Sequence, residues 1–189
     1  MKPIAILHEG NNDPSHDNKL LKQLLTHLKL DVDLVDFYGM SKKINFFNPD
    51  FVAYRTLKQR VEDGQVKKIL FIADSDYIEN DHEHNGFENT HTQLEIIIKK
   101  LEIEDISSIY VMCDPDTKTG YLESFLLSTI PEDKRHCIKC FLECSGFKAK
   151  DGDKSVYKRI YQSVAHPFSP YQFEHPHFDE LKQKLRNLF

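Results

Sequence analysis

The stretch that decides the fold is Val66-Lys67-Lys68-Ile69-Leu70-Phe71-Ile72-Ala73-Asp74-Ser75-Asp76. Two lysines precede five apolar residues, and the run ends in two carboxylates one residue apart. An apolar run of this length, bounded by charge, is typical of a strand that is buried on both faces of a parallel sheet. The carboxyl ends of such strands open into the crevice where α/β sheets bind their ligands. The sequence therefore predicts that Asp74 and Asp76 lie at a ligand site.

The paired carboxylates have two interpretations. In extended backbone, residues i and i+2 point the same way, so Asp74 and Asp76 can both approach one cation. Like charges held this close need such a cation to be tolerated. Alternatively, the pair caps a helix or lies in a loop, which are both common positions for Asp.

Strand and helix signals alternate along the first two thirds of the chain. Strands are predicted at 3–7, 30–37, 66–73 and 106–112, with helices at 14–28, 49–62, 92–101 and 119–130. This order predicts an α/β fold with a mostly parallel sheet of about four strands and helices on both faces. From Glu132 onward only helical signals recur, at 132–147, at 153–164 and after Pro176. We therefore expect a Rossmann-like core over 1–130 and a helical extension over 131–189 that packs on it as one compact unit.

Composition limits the function classes. A chain of 189 residues can form one well-buried domain. No apolar run approaches the roughly 20 residues of a membrane helix, and the apolar segment at the N-terminus is too short for a signal peptide. We expect a cytoplasmic protein without a membrane partner. The net charge of −5 divides into −8 over 1–130 and +3 over 131–189, far from the strongly basic balance of dedicated nucleic-acid binders.

Three cysteines, Cys137, Cys140 and Cys144, share one helical face. They could hold a metal or an iron–sulfur cluster with Cys113 as fourth ligand, or they could be small apolar residues on a buried face. The sequence favours the buried face, because no Gly or Pro between Cys137 and Cys144 provides the turn that such sites use.

Carboxylates follow three of the predicted strands. They are Glu9, Asp74 with Asp76, and Asp114 with Asp116. Since the carboxyl ends of parallel strands lie on one edge of a sheet, these side chains are expected near one another. Carboxylate oxygens suit Mg²⁺ or Mn²⁺, and such an ion could stabilise charge on a phosphoryl group. Glu9 could then act as general acid or base.

The pattern resembles the Toprim domain of topoisomerases, bacterial primases, recombination mediator proteins and nucleases of the overcoming-lysogenisation-defect type. The likeness rests on Glu9-Gly10 after the first strand and on Asp74-Ser75-Asp76 after a later one. It implies a Toprim-like fold, with Glu9 as general acid/base and Asp74 and Asp76 as Mg²⁺ ligands. By likeness to the nucleases, Asp114 and Glu123 are weaker candidates for a second metal.

The chain is especially similar to small stand-alone Toprim-like proteins of bacteria. That likeness includes Asp114-Pro115 before Gly120-Tyr121-Leu122-Glu123, and His175-Pro176-x-Phe178 before the last helix. The chain departs from the family pattern at His8, where an apolar residue is usual, and in its long Tyr77–Thr90 loop. That loop holds His82 and His84, with His91 beside it. His82 and His84 could bind zinc or nickel, but a solvated polar lid is favoured. His16 and His27 are expected on helix surfaces.

The first functional hypothesis is an enzyme. It would use Mg²⁺ or Mn²⁺ at Asp74 and Asp76, with Glu9 as acid/base, to cleave or transfer a phosphodiester or phosphoanhydride. By resemblance, the substrate would be a nucleic acid or nucleotide. The second hypothesis is a non-catalytic Toprim-like module that holds a metal, a nucleotide or a partner. A third is a receiver-like signalling domain with Asp74 as phosphate acceptor, for which Lys118 matches the required lysine poorly.

Overall fold

The computed structural model describes residues 2–11, 15–145 and 171–189. Within these residues, four parallel strands form one sheet in the order β2-β1-β3-β4. The strands are β1 (Ile4–His8), β2 (Val35–Gly39), β3 (Lys68–Asp74) and β4 (Ser107–Met112). The predicted Rossmann-like α/β fold with a parallel sheet is therefore confirmed.

Seven α-helices surround the sheet in the described part of the chain. They are α1 (His16–His27), α2 (Lys43–Phe46), α3 (Val52–Glu62), α4 (Phe87–Lys100), α5 (Leu122–Ser128), α6 (Glu132–Ser145) and α7 (Asp179–Arg186). Short 3₁₀ turns lie at Val32–Leu34, Ile78–Asn80, Glu104–Ile106 and Pro176–Phe178. None of the described helices is long and apolar enough to span a membrane.

The central strand β3 is buried on both faces, as its apolar run predicts. Alternate side chains supply two hydrophobic clusters, because successive strand residues point to opposite faces. Leu70 and Ile72 pack with apolar residues of α1, α5 and α7, whereas Ile69, Phe71 and Ala73 pack with those of α3 and α4. Each of these five side chains is at most 3% exposed. Burial on both faces explains why the run has no polar alternation.

The last helix belongs to the cluster of α1 and α5. Phe178, immediately before α7, is fully buried, and its ring packs edge-on against Phe125 of α5 with centroids 4.8 Å apart. Leu181 and Leu185 of α7 are also fully buried in this cluster. Elements from both sides of residue 130 therefore share one core, and the division of the chain at that residue stays a prediction.

Three predicted elements are wrong in their bounds. The helix predicted over 92–101 already begins at Phe87, within the predicted loop. The strand predicted over 30–37 begins only at Val35, because the Asp31 side chain accepts a hydrogen bond from the Asp33 amide at 2.9 Å and closes a 3₁₀ turn. The helix predicted to start near Thr117 or Thr119 starts at Leu122. Thr119 instead forms an antiparallel bridge with Asp114.

The predicted start of the first helix lies partly outside the described residues. Asp13 and Pro14, the expected cap and first residue, are not among them. The observed cap is Ser15, whose hydroxyl accepts a hydrogen bond from the Asn18 amide at 3.1 Å. The helix predicted over 153–164 also lies outside the described part.

Candidate active site

Glu9 and Asp74 meet because their strands are neighbours in the sheet. Glu9 follows β1 directly, and Asp74 is the last residue of β3. The Asp74 amide donates a hydrogen bond to Glu9 Oε2 at 3.3 Å. The Asp74 side chain is buried, and its Oδ1 accepts a hydrogen bond from the Leu122 amide at 3.1 Å. Asp74 therefore also satisfies the first amide of α5, which is the capping role that the sequence left open.

Asp76 does not continue the extended backbone of β3. Its φ of +57° lies in the left-handed region, which Asp tolerates better than most residues do. The cause is an antiparallel bridge in which the Asp76 amide donates to Gly120 O at 2.6 Å. The prediction that both side chains point the same way assumed extended backbone from Asp74 to Asp76. That assumption is wrong, because Asp76 is not extended.

Lys43 is the site residue that sequence reasoning missed. Its Nζ donates hydrogen bonds to Ser75 O at 2.7 Å and to Asn85 Oδ1 at 3.2 Å. The same nitrogen lies 3.4 Å from Asp76 Oδ2, and the residue is only 8% exposed. Carboxylate and carbonyl oxygens therefore surround a buried ammonium group.

Burial and charge act on Lys43 in opposite directions. Burial, the larger effect, lowers the pKa of Lys43 below its ordinary value. The carboxylates of Asp76, Glu9 and Asp74 act to raise that pKa. The predicted acid/base Glu9 and the predicted metal ligands Asp74 and Asp76 therefore all exert their field on this one ammonium group.

The short helix α2 positions Lys43. Phe46 is fully buried, and its carbonyl accepts a hydrogen bond from Tyr54 Oη at 2.7 Å. Just before α2, Met40 donates its amide proton to His8 O at 2.9 Å and accepts a hydrogen bond from Asn45 Nδ2 at 2.6 Å. Since residues i and i+3 share a helix face, burial of Phe46 carries Lys43 inward. That spacing is a signal in the sequence that Lys43 lies on a buried face, but it does not show which groups the ammonium contacts.

Ser75 is hydrogen-bonded to the loops around the carboxylates. It is fully buried, and its amide donates to Met112 O at 2.8 Å at the end of β4. Its hydroxyl donates to Lys118 O at 3.2 Å, and its carbonyl accepts from the Gly86 amide at 2.8 Å. The residue between the two Asp side chains thus joins the ends of β3 and β4 to the start of α4.

The candidates for a second metal have other partners. Glu123, buried in α5, lies 3.4 Å from His16 Nδ1. His16 is accordingly half-buried, and the expectation that it lies on the helix surface is wrong, because α1 turns it toward α5. Asp114 Oδ1 accepts a hydrogen bond from the Asp116 amide at 2.9 Å and so closes its own turn.

Asp116 is directed toward the C-terminal elements. Its carboxylate pairs with Arg135 of α6 at 3.3 Å and lies 3.6 Å from His177 Nε2. His177 Nδ1 is 2.8 Å from the Ser128 hydroxyl, which donates to Phe125 O at 2.6 Å. Asp116, His177 and Ser128 therefore form one hydrogen-bond network beside α5.

His8 is buried without a polar partner. Neither ring nitrogen has a hydrogen-bond partner among the described residues, and the side chain is fully buried one residue before Glu9. Burial, and then the charge of Lys22, lowers the pKa of His8 to about 4. The ring is therefore neutral at pH 7 and packs edge-on toward Phe37.

The loop histidines are engaged in separate local contacts. His84 Nδ1 lies 3.0 Å from Asp81 Oδ2, and its ring stacks on Phe47. His91 pairs with Glu95 at 3.5 Å on α4. His82 is exposed. No group of three or more His, Cys, Asp or Glu side chains within the described residues is arranged to hold a metal ion.

The cysteine prediction is wrong. Cys137, Cys140 and Cys144 are exposed, whereas Cys113 is buried. The reason is that α6 turns Ile138 toward the core and so directs the cysteine face outward.

Comparison with known proteins gives no match. The sequence fits no protein-family model, and neither a curated protein nor a solved structure matches it. The function must therefore be argued from the residues of the site.

Proposed function

We propose that the protein binds Mg²⁺ or Mn²⁺ at Asp74 and Asp76 and cleaves or transfers a phosphodiester or phosphoanhydride. Glu9 is the general acid/base in this proposal. The observation that supports it is the buried ammonium of Lys43 in the field of Glu9, Asp74 and Asp76. A cation is already accommodated there. The Toprim resemblance suggests nucleic acid or nucleotide as the substrate.

The donor set fits a hard divalent cation. Mg²⁺ and Mn²⁺ prefer carboxylate oxygens and retain water and substrate phosphate as further ligands. Formally, three carboxylates outnumber one ammonium in this group, so a divalent cation would balance its negative charge. Asp74 and Asp76 would hold the ion, which when bound would draw charge from a phosphoryl oxygen. Asp114 and Glu123 remain weaker candidates for a second ion.

Glu9 is oriented for proton transfer by the backbone of the neighbouring strand. The Asp74 amide donates a hydrogen bond to Glu9 Oε2. A carboxylate fixed in this way can take a proton from an attacking water or return one to a leaving oxygen. The loops around it are fixed by the buried Ser75, so the site does not have to be assembled at each turnover.

The alternative is a non-catalytic metal-binding or nucleotide-binding module. One observation favours it. Asp76 forms an ion pair with Lys43, and Asp74 accepts a hydrogen bond from the Leu122 amide at the start of α5. These contacts give both carboxylates a structural role that needs no turnover. The two functions differ in whether cation binding is followed by chemistry.

A cation titration with a cleavage assay tests the proposal. Mg²⁺ and Mn²⁺ are titrated by calorimetry into the parent and into an Asp74→Asn/Asp76→Asn variant. The same samples are incubated with single-stranded, duplex and structured nucleic acids. Asp31→Asn/Asp33→Asn is the matched control, because it removes two carboxylates at the same spacing from an exposed turn.

We expect the parent and the control to bind the cation and cleave, and the site variant to do neither. Cation binding without cleavage of any substrate would favour the non-catalytic module. If the parent binds no cation, the proposal is wrong.

A further inference from the structure

We infer that Lys43 is a built-in counter-cation that competes with the divalent cation for Asp76. It keeps the carboxylates together in the metal-free protein and thereby limits metal affinity. This inference rests on the proposed function, because it concerns the same site. It assigns that site a regulating residue of the chain itself.

The ammonium has two neutral hydrogen-bond acceptors besides the Asp76 carboxylate. Its bonds to Ser75 O and Asn85 Oδ1, at 2.7 and 3.2 Å, are both shorter than its 3.4 Å approach to Asp76 Oδ2. Ion pairs with good geometry are closer, at about 2.7–2.9 Å. If another cation takes Asp76, Lys43 therefore still has Ser75 O and Asn85 Oδ1 as hydrogen-bond acceptors and can keep its place.

A second cation at Asp76 would meet the ammonium at short range. Like charges repel strongly where water is largely excluded, and Lys43 is only 8% exposed. In the metal-free state the same ammonium offsets the mutual repulsion of Glu9, Asp74 and Asp76. Removal of its charge should therefore have two opposite effects, a less stable metal-free protein and a higher affinity for the metal.

The packing of α2 makes this competition a fixed property of the site. Phe46 is fully buried one turn after Lys43, and the Tyr54 hydroxyl donates a hydrogen bond to the Phe46 carbonyl. The lysine side chain is thus carried into the site by the fold and is not drawn in from solvent. A flexible surface lysine would leave when a metal arrives and would cost the metal little affinity.

Lys42 provides a matched control. It is the neighbouring lysine and is exposed. Lys42→Met removes the same charge one residue away, so any effect of net charge appears in both variants. Only Lys43→Met removes the ammonium that contacts Asp76.

The experiment measures Mg²⁺ affinity by calorimetry and the thermal midpoint of unfolding with and without Mg²⁺. We expect Lys43→Met to bind Mg²⁺ at least about tenfold more tightly than the parent. Its midpoint should be lower without metal and should rise more on Mg²⁺ addition than that of the parent. Lys42→Met should behave as the parent. Lys43→Gln, whose amide can still donate to Ser75 O, replaces Lys43→Met if the latter does not fold.

The outcomes separate this inference from the proposed function. If the parent binds Mg²⁺ but the Lys43 variants bind it equally or less tightly, Lys43 is not a competitor and the metal site stands. If Lys42→Met gains as much affinity as Lys43→Met, the effect is one of net charge and the inference is wrong. If neither the parent nor the Lys43 variants bind Mg²⁺ or Mn²⁺, both proposals fail.

Discussion

Asp76 and Gly120 are joined by two backbone hydrogen bonds. The Asp76 amide donates to Gly120 O at 2.6 Å, and the Gly120 amide donates to Asp76 O at 3.2 Å. Both residues have positive φ, +57° and +89°. The carboxylate that contacts Lys43 is thus placed by a glycine that lies beyond the next strand and helix in the chain.

Gly120→Ala should destabilise the protein and disturb the site. A Cβ at Gly120 would lie 2.7 Å from Ser124 Cβ, and the backbone conformation also disfavours a side chain. We expect a loss of about 2–4 kcal/mol in the free energy of unfolding, measured by urea denaturation. Cation affinity should fall with it.

Gly64→Ala is the control for backbone strain alone. Gly64 has φ +66°, and a Cβ there meets no atom of the described chain within 4 Å. Gly64→Ala should lower the free energy of unfolding by about 1–2 kcal/mol and leave cation affinity unchanged. An equal cost for the two variants would show that the contact between Gly120 and Ser124 is not a constraint.

His8 should make the protein less stable in mild acid. Its pKa is about 4 in the folded protein against 6.5 ordinarily, so the unfolded chain takes up the proton first. The contribution of His8 to the free energy of unfolding is fully present above pH 6.5. It is lost as the pH falls toward 4, by up to about 3 kcal/mol. Urea denaturation near neutral pH and at about pH 5 measures this loss.

His8→Leu should remove this decline and raise stability near neutral pH. It replaces two buried nitrogens that have no partner among the described residues with apolar atoms. Leucine also suits a position that packs toward Phe37. His82→Gln, at an exposed histidine, should leave the decline unchanged. If the parent and His8→Leu have the same pH dependence, another group is responsible.

The parts of the fold that depend on local pattern were predictable from the sequence. Burial of β3 on both faces follows from its apolar run, and the approach of Glu9 to Asp74 follows from parallel neighbouring strands. Lys43 could not be identified in this way, because its acceptors Ser75 and Asn85 lie far along the chain.

Two of the wrong predictions, those for Asp76 and for the cysteines, originate in tertiary contacts. The left-handed backbone of Asp76 depends on its bridge to Gly120. The exposure of the cysteine face of α6 depends on which side of that helix meets the core, and Ile138 occupies that side. Periodicity locates an apolar face, but it does not distinguish a cysteine face from an isoleucine face when both are present.

Phe178→Ala tests whether α7 is part of the core. The Phe178 ring is fully buried against Phe125 and Phe173. We expect a loss of about 3–5 kcal/mol in the free energy of unfolding. Phe189→Ala, at a phenylalanine that is 46% exposed, should cost less than about 1 kcal/mol. Similar small losses in both variants would mean that α7 can detach without unfolding the sheet.

The thiols should react in two classes. Cys137, Cys140 and Cys144 are exposed, whereas Cys113 is buried, and burial raises the pKa of its thiol to about 11. A thiol-reactive chromophore should therefore modify three groups in the folded protein and the fourth only after unfolding. Cys113→Ser should leave the folded count unchanged, and Cys140→Ser should lower it by one. Rapid reaction of Cys113 would contradict its placement.

Glu9→Gln separates cation binding from chemistry. A glutamine Oε1 can still accept the hydrogen bond of the Asp74 amide, so the local structure should persist. A neutral amide cannot exchange a proton, and loss of a general acid/base costs about 10²–10⁴ in rate. We expect the cleavage rate to fall by that amount while Mg²⁺ affinity falls by less than about tenfold, because Asp74 and Asp76 remain. Calorimetry and a cleavage assay on the same samples measure both quantities.

Glu62→Gln is the matched control for Glu9→Gln, since Glu62 is exposed on α3. It should cleave and bind as the parent does. If Glu9→Gln cleaves as fast as the parent, Glu9 transfers no proton, and its role is structural. If it instead loses cation binding altogether, Glu9 is a ligand, and the acid/base must be sought among the groups around Lys43.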